Sequence, residues 1–353
     1  MDQKTSPFSQ RWDFAVIGAG MAGAFIAGRL QAEGKSVLII DKARGSGGRV
    51  SSKRLKAGEI AFGVDLGCQF FEVSHSYFEA YLSSREDVVI ESSKAIVRGR
   101  NSLLTRGALG SASTLFGARV LSASRNENLW TVELDVASEN KTLEADHLIL
   151  ATPPIQAAEI LGREHRLYSS LSESRHHAQW VSVFAFDKRV LDAQTVKMLE
   201  KIGSIQSDVI GLVSVESRKP NRNIDASLLV VTLHSSESWA ARNLNVSASD
   251  VETVLLESLA DVVDLDSVVL RNALEKAHVH RWLYARPIIS NRLMGPFFDD
   301  ASIKLSACGD YFSVESEYGV ESAFLSANAL LRTILTSTEG VLSNNESESL
   351  LTS

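Results

Sequence analysis

The segment from Asp41 to Arg54, "DKARGSGGRVSSKR", carries the residues of this chain whose types and spacing point most directly to chemistry. One carboxylate is followed there by five cations, with three glycines among them. A carboxylate accepts hydrogen bonds from hydroxyl groups, cations bind phosphate oxygens, and glycines let a backbone approach a ligand. The pattern indicates either a ligand that is both hydroxylated and strongly anionic or a solvated basic loop. The cations are Lys42, Arg44, Arg49, Lys53 and Arg54.

A glycine fingerprint precedes this segment. Gly18, Gly20 and Gly23 form G-x-G-x-x-G between the apolar run "DFAVIG" and a helical pattern that ends near Gly34. In a strand-to-helix turn, the first glycine permits the turn, the second lets the backbone approach a pyrophosphate, and the third allows close helix packing. Asp41 ends the next apolar run, "SVLIID", where a ribose-binding acid belongs. These residues predict a dinucleotide site.

Three features favour FAD over a nicotinamide dinucleotide as the cofactor. Arg44 and Arg49 offer a second clamp for pyrophosphate or ribose, which simple NAD dehydrogenases do not usually need. Gly309 and Asp310 stand late in the chain, at the end of the predicted strand "IKLSACGD", where flavoproteins of this layout hold the ribityl chain. A helix after Val320 can direct its positive dipole end at a reduced flavin ring.

Composition limits the class of protein. The chain has 353 residues, 44% of them hydrophobic and 22% charged, which suggests a globular protein of two domains. A formal net charge of -7 opposes nucleic acid as the main partner. Cys68 and Cys308 stand far apart without a CxxC, which excludes a disulfide scaffold, a zinc site and a dithiol centre. We expect a cytoplasmic protein without a membrane span, monomeric or weakly dimeric.

The order of predicted elements indicates an α/β fold: a Rossmann-like FAD-binding domain with a second, mixed α+β substrate domain. The strand "ADHLILATPP" ends at Pro153 and Pro154, and the middle of the chain mixes strands and helices. We predict the FAD-binding domain from 13–80, 115–155 and 276–335, the substrate domain from 81–114 and 156–275, and a flexible tail from 336–353.

Several stretches together resemble bacterial renalase-like proteins, within the FAD-dependent amine oxidase and hydroxylase superfamily. The resemblance covers Asp13 to about Leu335, and its most specific parts are Asp41 to Arg54 and the octapeptide His280 to Pro287. It implies noncovalent FAD, an architecture similar to that of p-hydroxybenzoate hydroxylase and the amine oxidases, and a cleft between the two domains. The stretches are "FAVIGAGMAGAFIAGRL", "IIDKARGSGGRVSSKR", "DLGCQFF", "HLILATPP", "HRWLYARP" and "CGDYF…GVESAFLSANAL".

The resemblance also implies a reaction. Similar proteins oxidise the 2- and 6-dihydro isomers of NAD(P)H to NAD(P)+ and pass the electrons to O2, giving hydrogen peroxide. The segment that matches "DLGCQFF" lies beside the flavin ring in such proteins. The predicted cofactor-binding residues are Gly18, Gly20, Ala22, Gly23, Asp41, Lys42, Arg44, Gly48, Arg49, Gly67, Cys68, Gln69, Phe70, Val120, Thr152, Gly309, Asp310 and Val320.

Hydride transfer to a flavin depends on stacking and orientation more than on an acid or base. We expect a group of middle-to-late residues around the substrate, the aromatic ones for stacking and Arg286 for phosphate or carboxamide. Core packing is an equal alternative for the histidine and the aromatic residues. No metal site is expected, because the histidine pairs lack acidic or cysteine companions. The group is His234, Trp239, Trp282, Tyr284 and Arg286.

Two positions differ from the family pattern. Ser322 stands where the family commonly has glycine, so its side chain is expected to crowd the flavin edge, and Glu216 replaces an expected asparagine. Two alternatives stay open: an amine oxidase or desaturase that acts on a more apolar substrate, and a flavin-binding protein without turnover.

Overall fold

A computed structural model of the chain describes residues 6–202, 205, 207–317 and 319–349, with side chains described up to residue 336. Within this part, the strands are β1 (Arg11–Ile17), β2 (Val37–Asp41), β3 (Ser52–Ala57), β4 (Ile60–Asp65), β5 (Phe71–Glu72), β6 (Val88–Glu91), β7 (Lys94–Val97), β8 (Ser113–Phe116), β9 (Ala118–Asn126), β10 (Leu129–Val136), β11 (Glu139–Leu150), β12 (His176–Asp187), β13 (Ile210–Val215), β14 (Leu228–Ser235), β15 (Leu274–Pro287), β16 (Phe298–Asp300) and β17 (Leu305–Ala307).

The helices of the described residues vary from single turns to one long element at the end of the chain. They are α1 (Met21–Ala32), α2 (Ser76–Ser83), α3 (Leu103–Ala108), α4 (Pro154–Leu161), α5 (Tyr168–Glu173), α6 (Ala193–Glu200), α7 (Glu237–Arg242), α8 (Ala248–Val262), α9 (Ser267–Ala273) and α10 (Gly319–Ser349).

The apolar runs at the start of the chain form the centre of a parallel sheet. Its order is β16-β17-β11-β1-β2-β8; β1 is parallel to β2 and β11, while β9 and β10 extend the sheet from β11 as an antiparallel meander. Both faces of β1 and β2 are covered, as continuous apolar strands require. Helices α1 and α10 pack on one face, and the meander with α4 packs on the other.

The second sheet is antiparallel, in the order β13-β14-β12-β15. One face carries Phe184, Leu229 and Leu233, which pack with helices α8 and α9. The opposite face carries Val183 and Val230 and packs on the β3–β4 hairpin, so the hairpin connects the two sheets. The fold is therefore a Rossmann-like α/β domain with a second, mixed α+β domain, as the sequence predicted.

The domain boundaries differ from the prediction in two places. Strand β15 pairs along β12, so residues 276–287 belong to the second sheet and not to the first domain. Residues 81–114 belong to the first domain, because β7 pairs with β5, β8 pairs with β2, and Leu104 packs in the core beneath α1. The strands of residues 81–114 are short and mix polar with apolar residues, so their sequences do not indicate which sheet they join.

The end of the chain also differs from the predicted flexible tail. Helix α10 continues through residue 336 to Ser349, while residues 350–353 lie outside the described residues. None of the helices formed by the described residues combines the length and apolar character that crossing a bilayer requires.

Candidate functional site

A cavity of about 1560 Å³ lies between the two domains. At one end it is lined by Gly18 and Asp41, at the carboxyl ends of β1 and β2. At the other it is lined by His234 and Trp282, on β14 and β15 of the antiparallel sheet. This main cavity is thus placed where ligands of open α/β sheets bind, outside the carboxyl ends of the strands.

The three glycines of the fingerprint meet different surroundings. Gly18 has a φ of +102°, which side chains rarely adopt, and a Cβ there would lie 2.7 Å from the Ala151 carbonyl oxygen. A Cβ on Gly23 would lie 1.9 Å from the Gly18 oxygen, so this glycine permits the close approach of α1 to β1. Gly20 has nothing within 4 Å of its Cβ position and lines the cavity, which leaves space there for a ligand.

Asp41 lies at the end of β2, as the fingerprint predicts, and lines the cavity. Its carboxylate accepts backbone hydrogen bonds from Ala19, at 2.7 Å, and from Ala43, at 2.8 Å. An ionised carboxylate has about four lone-pair sites, so further donors can be accepted. Asp41 therefore fixes the loops on both sides of it and retains acceptors for the hydroxyl groups of a ligand.

Arg49 and Asp310 form a bidentate ion pair. Arg49 Nη2 donates to Asp310 Oδ1 at 2.6 Å and Nη1 donates to Oδ2 at 2.5 Å. The Asp310 side chain is 1% exposed and that of Arg49 is 29% exposed. The sequence predicted these two residues as separate cofactor ligands. In the structure they pair with each other, and both line the main cavity.

A chain of hydrogen bonds crosses the end of the main cavity that lies beside the second sheet. Gln69 Oε1 accepts from Lys219 at 2.7 Å. Its amide nitrogen donates to the Asp65 and Gly67 carbonyls, at 2.7 and 3.0 Å, and lies 3.1 Å from His234 Nε2. His234 Nδ1 lies 3.1 Å from Gln179 Oε1. This arrangement requires a neutral imidazole that accepts at Nε2 and donates at Nδ1. Burial, with the nearby charges of Lys219 and Arg286, lowers the pKa of His234 to about 3, so it is neutral at physiological pH.

Four buried charged residues lie next to Gln69, on the side away from His234, and of these only Glu216 was noted in the sequence, as a difference from the family pattern. In this Asp65 cluster, Lys219 Nζ donates to Glu216 at 2.6 Å and to Asp65 at 3.2 Å. Arg222 pairs with Asp65 and donates to the Gly99 carbonyl at 2.6 Å. Burial raises the pKa of Glu216. Two acids balance two bases, as burial of charge requires. The one available signal was Asp65, which ends β4 as Asp41 ends β2.

The predicted substrate residues have different positions. Trp282 Nε1 donates to the Leu66 carbonyl at 3.1 Å, and its ring packs against the core while also lining the cavity. Tyr284 also lines the cavity. Trp239 is wrong as a cavity residue, because it packs in the core on the opposite face of the sheet. Arg286 lines the cavity and pairs with Glu237, the first residue of α7.

The thiols of the chain are free and neutral. Cys68 lines the main cavity and donates to the Phe70 carbonyl, and Cys308 is fully buried. Burial raises the pKa of each thiol to about 12. Neither cysteine is therefore a thiolate nucleophile at physiological pH.

Ser322 does not crowd the cavity, contrary to the expectation from sequence. Its hydroxyl donates to the Ser316 carbonyl at 2.9 Å and accepts from Arg292 at 3.2 Å, which directs it away from the wall. The preceding residue, Glu321, accepts backbone hydrogen bonds from Ser74 and His75, both at 2.8 Å. These bonds fix the start of α10 beside the cavity.

Most of the predicted cofactor residues line the main cavity. Gly23 does not, because it packs α1 on β1, and Arg44 does not, because it is exposed on the loop after β2. No group of three or more metal-ligating side chains occurs among the residues that the structure describes. The lining includes Gly18, Gly20, Ala22, Asp41, Lys42, Gly48, Arg49, Gly67, Cys68, Gln69, Phe70, Val120, Thr152, Gly309, Asp310 and Val320.

Comparison with known proteins agrees with this fold. Residues 16–83 match the model of the NAD(P)-binding Rossmann-like domain. The chain is similar to cyclohexylamine oxidase from Brevibacterium oxydans IH-35A, with 13% identity, a TM-score of 0.65, and coverage of 93% of this chain and 99% of the other.

Two further solved structures have the same architecture. Putrescine oxidase bound to putrescine matches with 13% identity, a TM-score of 0.62 and coverage of 93% and 99%. A protein from Exiguobacterium sp. 255-15 named "putative protoporphyrinogen oxidase" matches with 10% identity, a TM-score of 0.63 and the same coverage. At these identities the likeness concerns the fold, which this chain shares with oxidases over nearly its whole length.

Proposed function

We propose that this chain is an FAD-dependent oxidase of the renalase type, which oxidises the 2- and 6-dihydro isomers of NAD(P)H to NAD(P)+ and reduces O2 to hydrogen peroxide. The observation that carries the proposal is the extent of the main cavity. It continues from the glycine fingerprint to the face of the second sheet, which supports a dinucleotide on one wall and an incoming substrate on the other.

The residues present fit FAD. Open space at Gly20 admits a pyrophosphate, Asp41 retains acceptors for ribose hydroxyls, and Thr152 has a buried hydroxyl without a hydrogen-bond partner among the described residues. The cavity of about 1560 Å³ exceeds the ~300–1,000 Å³ of ordinary small-molecule pockets. Noncovalent binding is proposed, since the thiol that lines the cavity, Cys68, is protonated and hydrogen-bonded.

When bound, FAD supplies a two-electron acceptor that O2 can reoxidise. The dihydronicotinamide loses a hydride and becomes the aromatic cation, while O2 gains two electrons and two protons. The protein has to bind and orient the substrate. Trp282 and Tyr284 offer aromatic surfaces for the nicotinamide ring, and Gln69 and Gln179 hold His234 neutral with both ring nitrogens occupied.

That arrangement of His234 favours hydride transfer over reactions that need a general base. A base must be free to accept a proton and have a pKa near the working pH. His234 does not meet the second condition, because burial lowers its pKa to about 3, and its Nε2 faces the Gln69 amide nitrogen, which donates. Hydride transfer from a dihydronicotinamide requires orientation instead, and a misplacement of ~1 Å can cost ~100-fold in rate.

An amine oxidase is the second candidate, because the fold is similar to those of cyclohexylamine oxidase and putrescine oxidase over 93% of the chain. An alkylammonium substrate needs a free acceptor or aromatic faces in the cavity. Glu237 is the carboxylate nearest to Arg286, and its two oxygens already contact Arg286 and His177. Trp282 and Tyr284 offer such faces to either substrate, so turnover of the substrates themselves distinguishes the two candidates.

Release of peroxide discriminates between the two candidates. The FAD-loaded protein is mixed in air with 6-dihydro-NADP, with 4-dihydro-NADPH, and with cyclohexylamine and putrescine. We expect peroxide chiefly with the 6-dihydro isomer. Fast turnover of an amine, together with no reaction of the dihydro isomers, would assign the protein to the amine oxidases.

A further inference from the structure

A second cavity of about 490 Å³ adjoins the substrate end of the main cavity. The two cavities share four lining residues and therefore adjoin each other. The shared wall is formed by β15, the first residue of α7 and the start of α10. The shared residues are Glu237, Arg286, Glu317 and Gly319.

Arg286 is the cation of this shared wall. Its Nη2 donates to Glu237 Oε1, and its side chain is 60% exposed, against 35% for Glu237. Glu237 Oε2 also lies 3.5 Å from His177 Nε2. Both oxygens of the carboxylate are therefore engaged, while the guanidinium, in the part of the chain that the structure describes, donates to one acceptor.

This imbalance decides which charge the wall can bind. A guanidinium has five N–H donors in a planar fork, so Arg286 keeps most of them for a ligand. An anion can bind Arg286 without breaking its pair with Glu237, whereas a cation would have to displace Arg286 or His177 from the carboxylate. Glu317 also lines both cavities and is exposed, as Arg286 is, so solvent and salt screen both charges.

We propose that the second cavity binds the phosphate nearest the nicotinamide riboside of the substrate and that Arg286 is its ligand. This inference rests on the proposed function, since it assigns a subsite to the part of the substrate that does not react. It also explains how the ring reaches Trp282 and Tyr284, because Arg286 follows both on the same strand. A phosphate held by Arg286 fixes the distance from the end of β15 to the nicotinamide.

The test compares two compounds that differ by one phosphate, nicotinamide mononucleotide and nicotinamide riboside, and it needs no turnover. Binding to the FAD-loaded protein is measured by calorimetry. The wild-type protein should bind the mononucleotide about 10- to 100-fold more tightly than the riboside, the range expected for hydrogen bonds to a charged group. Higher salt should reduce the preference.

Variants attribute the preference to the side chain. Arg286→Gln should abolish the preference and leave riboside affinity unchanged, and Arg286→Lys should retain part of it. Arg175→Gln is the matched control, because Arg175 is exposed and lines neither cavity. Equal affinities in the wild-type protein, binding of neither compound, or a preference that survives in Arg286→Gln would overturn the inference. The peroxide assay with 6-dihydro-NADP tests the proposed function separately, so the two failures are distinguishable.

Discussion

At the scale of single residues, hydrogen bonds hold the buried polar side chains of the main cavity wall in fixed orientations. Gln69 is 2% exposed and His234 is 6% exposed, and each is bonded to the next in a chain that starts at Lys219. Histidines often serve as acids or bases at neutral pH. Here the neighbours fix the tautomer, so the ring contributes shape and apolar surface to the cavity wall.

The low pKa of His234 predicts a dependence of stability on pH. The native state resists protonation down to about pH 3, whereas the unfolded chain binds a proton near the ordinary value of 6.5. Stability must fall as the pH falls from 6.5 towards 3. At ~1.4 kcal/mol per pH unit, this histidine should reduce the free energy of unfolding by about 2 kcal/mol at pH 5.

Urea unfolding of the wild-type protein and of His234→Gln, at pH 7.5 and pH 5, measures this contribution. The variant should lose less stability between the two pH values. His147 and His176, whose pKa values burial lowers to about 4, are present in both proteins and cancel. An equal loss in both proteins would show that His234 is already charged or exposed.

The ion pair of Arg49 and Asp310 predicts a second effect at this scale. Arg49→Ala leaves a carboxylate that is 1% exposed without its cation. We expect a loss of about 2–3 kcal/mol in the apoprotein, below the range for fully buried pairs because Arg49 is partly exposed. Chemical denaturation measures it. As a control, Lys56→Ala on the exposed face of β3 should change the free energy of unfolding by less than ~0.5 kcal/mol. In the double variant, Asp310→Asn removes the unpaired carboxylate and should restore part of the stability lost in Arg49→Ala.

At the scale of elements, two glycines in the turn from β1 to α1 have different roles. Gly23 is needed for folding, whereas Gly20 leaves space for a ligand. Gly23→Ala forces a Cβ against a backbone oxygen and should cost about 1–3 kcal/mol of stability. Gly20→Ala meets open space, so stability should change by no more than about 1 kcal/mol while FAD affinity falls. Thermal unfolding and FAD titration of both variants test this contrast. It would be contradicted if both variants lost FAD affinity equally and kept the stability of the wild-type protein.

Strand β15 shows what the sequence could and could not predict about elements. Its tryptophan, tyrosine and arginine were expected around the substrate and line the cavity, whereas the strand, expected in the FAD-binding domain, pairs with β12 of the second sheet. The periodicity of apolar residues indicates which face of a strand is buried, but it does not indicate which strand pairs with it. The strands that flank the glycine fingerprint were predictable, because buried parallel strands have continuous apolar sequences.

At the scale of the whole molecule, the Asp65 cluster connects the two domains beside the cavity. Asp65 belongs to the hairpin that follows the first strands, whereas Glu216, Lys219 and Arg222 follow β13 of the antiparallel sheet. More than a hundred residues separate these partners along the chain. Isolated polar residues at such a separation carry no local pattern. The glycine turn and Asp41 were therefore predictable from a short motif, and this cluster was not.

The proposed function requires that the main cavity hold FAD and that a dihydronicotinamide isomer reduce it. The most direct test is the visible spectrum of the protein, reconstituted with FAD and kept anaerobic, before and after addition of 6-dihydro-NADP. We expect a bound-flavin spectrum that bleaches at once and returns when O2 is admitted, with peroxide formed. A protein that cannot take up FAD, or a flavin that stays oxidised with the dihydro isomer, would contradict it.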